Sequence, residues 1–259
     1  MLGMRKVEGM RYRFREWRTT LKSADGIRLL GTLLVLVGCC LGFVALADEI
    51  LEKETQGFDE AVVLALRRAD DPSTPIGPVW LRGAARDVTS LGGVTVLTLV
   101  TLAVCGFLAL VRHFRSLLLV LGSTVGGAVL NSLLKAFFAR PRPTVVPHLT
   151  EASAPSFPSG HAMLSAIVYL TLGALLAQLT ENRWLKVYVL SVSLALTFLV
   201  GLTRVFLGVH YLTDILGGWM AGLAWALFTS LLARAAKRRS PGLREEVRTG
   251  AEVPDSTNP

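Results

Sequence analysis

Charge is scarce in this sequence. Asp, Glu, Lys and Arg together make 18% of the 259 residues, against roughly a quarter in ordinary globular domains. Hydrophobic residues make 52%, gathered into blocks near the roughly 20 residues that carry a helix across hydrocarbon. That excludes an ordinary soluble domain. Cysteine is rarer still: Cys39, Cys40 and Cys105 all fall inside apolar blocks, where thiols serve as small packing residues. They imply neither a disulfide framework nor a metal site. No repeat of fixed period is present. No aromatic-basic surface module accompanies the net charge of +8, so nucleic acid is not an expected partner. No small-residue cleavage site follows the first apolar block, since Ala47 leads into Asp48-Glu49; the block reads as a span and not a cleaved leader.

Six apolar blocks are present, at 27–47, 88–111, 116–138, 161–179, 187–205 and 214–232. In lipid every backbone polar group must be satisfied within the segment, which selects helices. The expected fold is therefore all-α, a polytopic bundle of six transmembrane helices. Residues 27–233 form the membrane domain, preceded by a basic arm at 1–26 and followed by a polar, disordered tail at 234–259. The arm carries Arg5, Lys6, Arg11, Arg13, Arg15, Arg18 and Lys22, and the tail carries Arg234, Lys237, Arg238 and Arg239. The turns at 112–115 and 181–186 are basic as well. By the positive-inside rule these four segments face the cytoplasm, with both termini inside. The segment between the first two spans is mixed in charge. Within it Phe58, Val62, Ala65 and Leu66 recur at helical spacing, the pattern of an interfacial amphipathic helix. Gly122/Gly126 and Gly218/Gly222 have the small-xxx-small spacing of close helix contacts, read here as packing within the bundle.

Three polar clusters stand at the edges of apolar blocks, where ionisable side chains are costly and point to function. They are Lys135-x6-Arg142-Pro143, Pro158-Ser159-Gly160-His161, and Thr203-Arg204-x5-His210-x3-Asp214. The topology returns all three to one outer surface. His210 and Asp214 are four apart, so on a helical turn the carboxylate can take the imidazole Nδ1–H and leave Nε2 as nucleophile or base. Alone the pair would read as a helix cap; beside Arg204 it reads as chemistry. Ser159-Gly160 opens a span, and helix N-termini present free N–H groups to anions. Gly160 allows close backbone approach, Ser159 offers a hydroxyl, and His161 could protonate a leaving oxygen. Lys135, Arg142 and Arg204 supply cations; forked guanidinium donors match phosphate oxygens. Arg140 reads as an ordinary loop charge. No acidic cluster suited to Mg²⁺ accompanies the site, so no metal and no cofactor is expected.

These three motifs, in this order, resemble the signature of the type 2 phosphatidic acid phosphatase superfamily, which includes membrane lipid phosphatases and soluble vanadium haloperoxidases. One departure is visible: the third motif usually opens with Ser-Arg, and Thr203-Arg204 stands here. The resemblance implies that His210 attacks phosphorus to form a phosphohistidine, oriented by Asp214. It implies that His161 protonates the leaving oxygen and then assists water. It further implies that Lys135, Arg142, Ser159, Gly160 and Arg204 hold the phosphoryl oxygens. The implied activity is a metal-independent membrane lipid phosphatase with an outward-facing site. Its substrate would be undecaprenyl diphosphate, phosphatidate or phosphatidylglycerol phosphate, with undecaprenyl diphosphate or a broad lipid range favoured. A vanadate-dependent haloperoxidase and a non-enzymatic transporter or scaffold are the alternatives. The acyl-binding positions are generic Leu, Val and Phe and do not specify a lipid.

Overall fold

The computed structural model describes residues 24–238; the expected arm up to residue 23 and the tail from residue 239 lie outside the described residues. Among the described residues the chain forms eight helices and no strand: α1 (Ala24–Leu51), α2 (Gln56–Ala65), α3 (Val79–Ser90), α4 (Val94–Leu110), α5 (Phe114–Phe138), α6 (Gly160–Ala177), α7 (Arg183–Phe206) and α8 (Leu212–Arg238). Helices α1, α5, α6, α7 and α8 are each long and apolar enough to cross a membrane. The sixth expected span, 88–111, is not one helix. It is broken between α3 and α4, which meet at a bend of 44° and together pass the same test. The break falls at Leu91-Gly92-Gly93. A Cβ on Gly92 would collide with Val200 of α7 and come within 3.3 Å of the His161 carbonyl. Tyr169 of α6 donates its hydroxyl to the Leu91 carbonyl at 2.7 Å. The bend is thus locked against the helices that carry the polar motifs.

Burial and hydropathy run in opposite directions, as lipid solvation requires. In α1 none of the apolar window is buried, whereas 44% of the α6 window is. Leu34, Leu41 and Val44 of α1 are well exposed, a surface stable against hydrocarbon and not against water. Helix α6 is the centre of the bundle, packing on α5, α7 and α8, while α1 lies along α8. Close approach of α6 and α8 depends on Gly218 and Gly222, where a Cβ would stand 2.8 Å from the Ser159 carbonyl and 2.6 Å from the Met163 carbonyl. That pair packs within the chain, as its spacing predicts. Gly122 does not, having nothing within 4 Å, and Gly126 meets the ring of Trp225.

The expected amphipathic helix forms as α2, and it docks on the bundle through Asp59 and Val63 while Phe58 of its apolar stripe stays exposed. Phe58 is 57% exposed, whereas Asp59 and Val63 are fully buried. Val63 joins Ala162, Val205, Tyr211 and Ile215 in an apolar cluster, with Val62 and Leu66 at its edge. The carboxylate, not the phenyl ring, points inward, and its partners explain why.

Candidate active site

The ends of α5 and α7 and the starts of α6 and α8 meet at one end of the bundle. Helix α5 ends at Ala139, which takes a left-handed conformation (φ 44°) and returns its N–H to the Lys135 carbonyl at 3.0 Å. The 140–159 segment then folds back over the bundle, joined to it by Ser156 N–H to the Arg140 carbonyl (2.8 Å) and Ser159 N–H to the Asp214 carbonyl (3.0 Å). Ser159 begins α6, its buried hydroxyl accepting from the Ala162 N–H at 3.5 Å. Between α7 and α8 the chain turns at Gly208, whose φ of +74° suits glycine and whose missing Cβ makes room for Arg67 and Val146. That turn delivers His210.

His210 is 1% exposed and Asp214 fully buried. Imidazole Nδ1 stands 3.3 Å from Asp214 Oδ2. The same oxygen accepts from the Tyr211 N–H at 2.8 Å and from the Ser156 hydroxyl, and the Ser156 oxygen is 3.4 Å from Nδ1. This set of partners assigns the proton of neutral His210 to Nδ1 and makes Nε2 the acceptor, its lone pair taken by the Arg142 guanidinium in the resting site. Nε2 faces Arg142 Nη1 at 3.2 Å. Burial drives the His210 pKa down to about 4, against the opposing pull of Asp214. The ring is therefore neutral, as a nucleophile must be.

The cations differ in how they are held. Arg142 is fixed by backbone: Nε donates to the Ala154 carbonyl at 2.7 Å and Nη1 to the Val209 carbonyl at 2.6 Å. Lys135 donates to the Pro155 carbonyl at 2.5 Å. Arg204 is 4% exposed; its Nη1 donates to Thr89 Oγ1 at 3.2 Å while its Nε has no partner among the described residues. Thr203, the departure in the third motif, turns its hydroxyl to the Val200 carbonyl at 2.7 Å, a contact within the helix. Among the described residues none of the three cations has a carboxylate within 4.0 Å. They are near enough for their charges to act on one another and on half-buried His161. Gly160 lies against Asn131 and Lys135 of α5: a Cβ there would sit 3.2 Å from Asn131 Nδ2 and 3.6 Å from Lys135 Cε. The result is uncompensated positive charge around a neutral imidazole, a setting for a multiply charged oxyanion.

Sequence reasoning misses the support beneath this site. Arg140, expected as a loop charge, is 8% exposed. Its Nη1 binds Asp214 Oδ1 at 2.7 Å and Thr213 Oγ1 at 2.8 Å, and its Nη2 binds Asp59 Oδ2 at 2.8 Å. Asp59 in turn accepts from the Thr213 N–H at 3.1 Å and from its hydroxyl at 2.5 Å. The guanidinium also lies 4.6 Å from the Tyr211 ring centroid. Burial opposes the Arg140 charge, but Asp214 and Asp59 outweigh it and raise its pKa above the ordinary value. The chain Asp59–Arg140–Asp214–His210 thus ties α2 to the imidazole. Asp59 alone carried a signal, as an acid set among apolar residues of a short helix. Ser156, Asn131 and Thr213 carried none. Among the described residues no three His, Cys, Asp or Glu side chains group as metal ligands would.

Fold and site together define a helical membrane protein that gathers around a buried histidine three cations without a carboxylate partner among the described residues. Residues 115–238 match the family model described as the PAP2 superfamily. The chain is 34% identical over 194 residues to phosphatidylglycerophosphatase B of Bacillus subtilis, covering 72% of this chain and 89% of that protein. It is 32% identical over 142 residues to human dolichyldiphosphatase 1, covering 49% of this chain and 59% of that one. A crystal structure of a transmembrane PAP2-type phosphatidylglycerolphosphate phosphatase from Bacillus subtilis superposes with a TM-score of 0.68 at 30% identity, covering 79% of this chain and 96% of that chain. The chain belongs to the PAP2 superfamily.

Proposed function

We propose that this protein removes the terminal phosphoryl group from a phosphate-bearing membrane lipid, with phosphatidylglycerol phosphate as the first candidate. The observation that carries this reading is the gathering of Lys135, Arg142 and Arg204, none with a carboxylate within 4.0 Å among the described residues, about Asp214 and His210. Arg142 stands 3.2 Å from the imidazole Nε2, and Asp214 is at its Nδ1. The extent of the match to the Bacillus subtilis phosphatidylglycerophosphatase supports the lipid class; undecaprenyl diphosphate and phosphatidate are the rival substrates.

Phosphoryl transfer asks mainly for positioning and charge stabilisation. The three cations, Ser159 and the Gly160 N–H hold the phosphoryl oxygens. His210 Nε2 attacks phosphorus, forming a P–N bond as the P–O bond to the lipid breaks. His161 donates a proton to the departing oxygen, and the substrate's negative charge helps it hold that proton among the cations. In the second step His161 takes a proton from water as the water oxygen attacks phosphorus, releasing phosphate and free His210. Asp214, fixed by Arg140 and Ser156, keeps the imidazole in the reactive tautomer. No metal takes part in this scheme.

The reading also puts the His210 end of the bundle at the outer membrane face and the basic turn at 112–115 on the cytoplasmic side. Phosphate release by the purified protein in detergent, measured across a panel of lipid monophosphates and diphosphates, tests the function. Turnover fastest with phosphatidylglycerol phosphate is expected; release from none of the lipids would overturn it. Cysteine labelling at Ser153 and Ser240 tests the sidedness. The two positions should react from opposite faces, and reaction of both from one face would refute the arrangement.

A further inference from the structure

At the end of the bundle away from His210, a cavity of about 680 Å³ lies between the α4–α5 turn and the last turns of α6 and α8. Its rim carries Arg112, His113, Arg115 and Arg234, and Leu119 and Leu175 give it apolar walls. Thr171, also on its lining, stands seven residues further from the end of α6 than Gln178, about 10 Å along a helix. The cavity therefore runs from a basic rim into the apolar depth of the bundle.

A positive-inside signal needs only exposed charge. Four features here exceed that. None of the three arginines has a carboxylate within 4.0 Å among the described residues. Arg112 is held at φ 57°, a left-handed conformation in which glycine is the favoured residue. Helix α5 starts at the rim without a side-chain cap, since His113 makes no capping bond, so its first N–H groups and positive dipole end face the same region. Thr171 is 4% exposed and its hydroxyl has no partner among the described residues. The helix hydroxyls of Ser193, Thr197 and Thr229 bond back to backbone carbonyls; that of Thr171, like that of Thr101 in α4, has no such bond, and Thr171 alone of these two lines the cavity.

We propose that this cavity binds the headgroup of an anionic phospholipid, as a site separate from the one around His210. The arginines and the α5 N-terminus take the phosphate, Thr171 donates to an ester oxygen deeper in, and the acyl chains follow the apolar walls. The apolar depth is what selects a lipid over free phosphate, which would need only the rim. The assignment is independent of the reaction proposed for His210.

Native mass spectrometry of the full chain, released from detergent with equimolar phosphatidylglycerol and phosphatidylcholine, tests it. Preferential retention of phosphatidylglycerol is expected. Arg115→Gln should weaken that retention about fivefold, the worth of one basic side chain near an anionic membrane surface. A combined Arg112→Gln, Arg115→Gln and Arg234→Gln variant should abolish the preference. Thr171→Val, nearly isosteric, should lower retention while leaving the thermal midpoint in lipid-free detergent unchanged. That midpoint also verifies that the arginine variants fold. Equal retention of the two lipids, an undiminished preference in the triple variant, or displacement of the lipid by millimolar orthophosphate would overturn the proposal.

Discussion

The two ends of this bundle hold positive charge in different surroundings. At the His210 end Arg140 and Arg204 are 8% and 4% exposed, and Arg140 is clamped between two buried carboxylates. At the other end Arg112, Arg115 and Arg234 are exposed and have no carboxylate partner among the described residues. Desolvation explains the contrast. Taking a charge out of water is costly unless protein groups match it, as Asp59 and Asp214 match Arg140. Buried Arg204 has no such match among the described residues and keeps its charge uncompensated, whereas a charge at an aqueous boundary keeps its hydration. The buried end therefore has a fixed geometry, which phosphoryl chemistry requires, and the exposed end can adapt to a lipid headgroup.

The largest effect should come from the buried end. His210→Ala removes the nucleophile and should lower phosphate release on the order of 10⁴-fold or more, as read by lipid turnover in detergent. Asp214→Asn keeps the shape but disturbs the tautomer, so the rate constant should fall while lipid binding is largely retained. His161→Ala should cost about 10²–10⁴-fold on a monoester lipid and less on a diphosphate, whose leaving group needs less protonation. Equal defects on both substrates would remove His161 from the role of acid.

Stability sharpens the contrast next. Arg140→Gln strands Asp59 and Asp214 without their cation and should destabilise by about 3–5 kcal/mol. Arg68→Gln, which breaks an exposed pair with Asp70 (57% and 69% exposed), should cost no more than about 1 kcal/mol. Thermal unfolding of the two variants in one detergent makes the comparison, and similar losses would undo it. The pH dependence follows from His210. Its pKa lies near 4 in the folded chain against an ordinary value of 6.5, so below about 6.5 the unfolded chain takes up the proton first. Stability then falls as pH drops from about 6.5 towards 4. His210→Gln should make that slope shallower. The smallest effect concerns metal: turnover should survive exhaustive EDTA treatment, and a loss restored by Mg²⁺ would contradict the scheme.

Much of this was legible in the sequence because hydrophobic blocks and motif order are local signals. Five spans and the convergence of Lys135, Arg142, His161, Arg204 and His210 at one end follow from block length and parity. The rest depended on contacts that local pattern does not encode. Arg140 and Arg142 stand two apart in the same Arg-Pro-Arg-Pro run, yet one is buried as an ion pair and the other is half-buried beside His210. The difference is made by Asp59, 81 positions away from Arg140. Apolar spacing marks α2 as amphipathic, but it does not reveal that Asp59 on the same helix is buried against Arg140. The run 88–111 averages to one apolar span, while Gly92-Gly93 within it, a recognisable breaker pair, marks the bend against His161.

The central claim is that His210 carries the phosphoryl group during turnover. Mixing the wild-type protein with its lipid substrate, quenching without acid and mapping the phosphorylated peptide by mass spectrometry tests it directly. The account predicts a phosphoryl group on His210, absent in His210→Ala. Turnover with phosphate trapped on another residue, or a phosphoprotein that persists in His210→Ala, would contradict it.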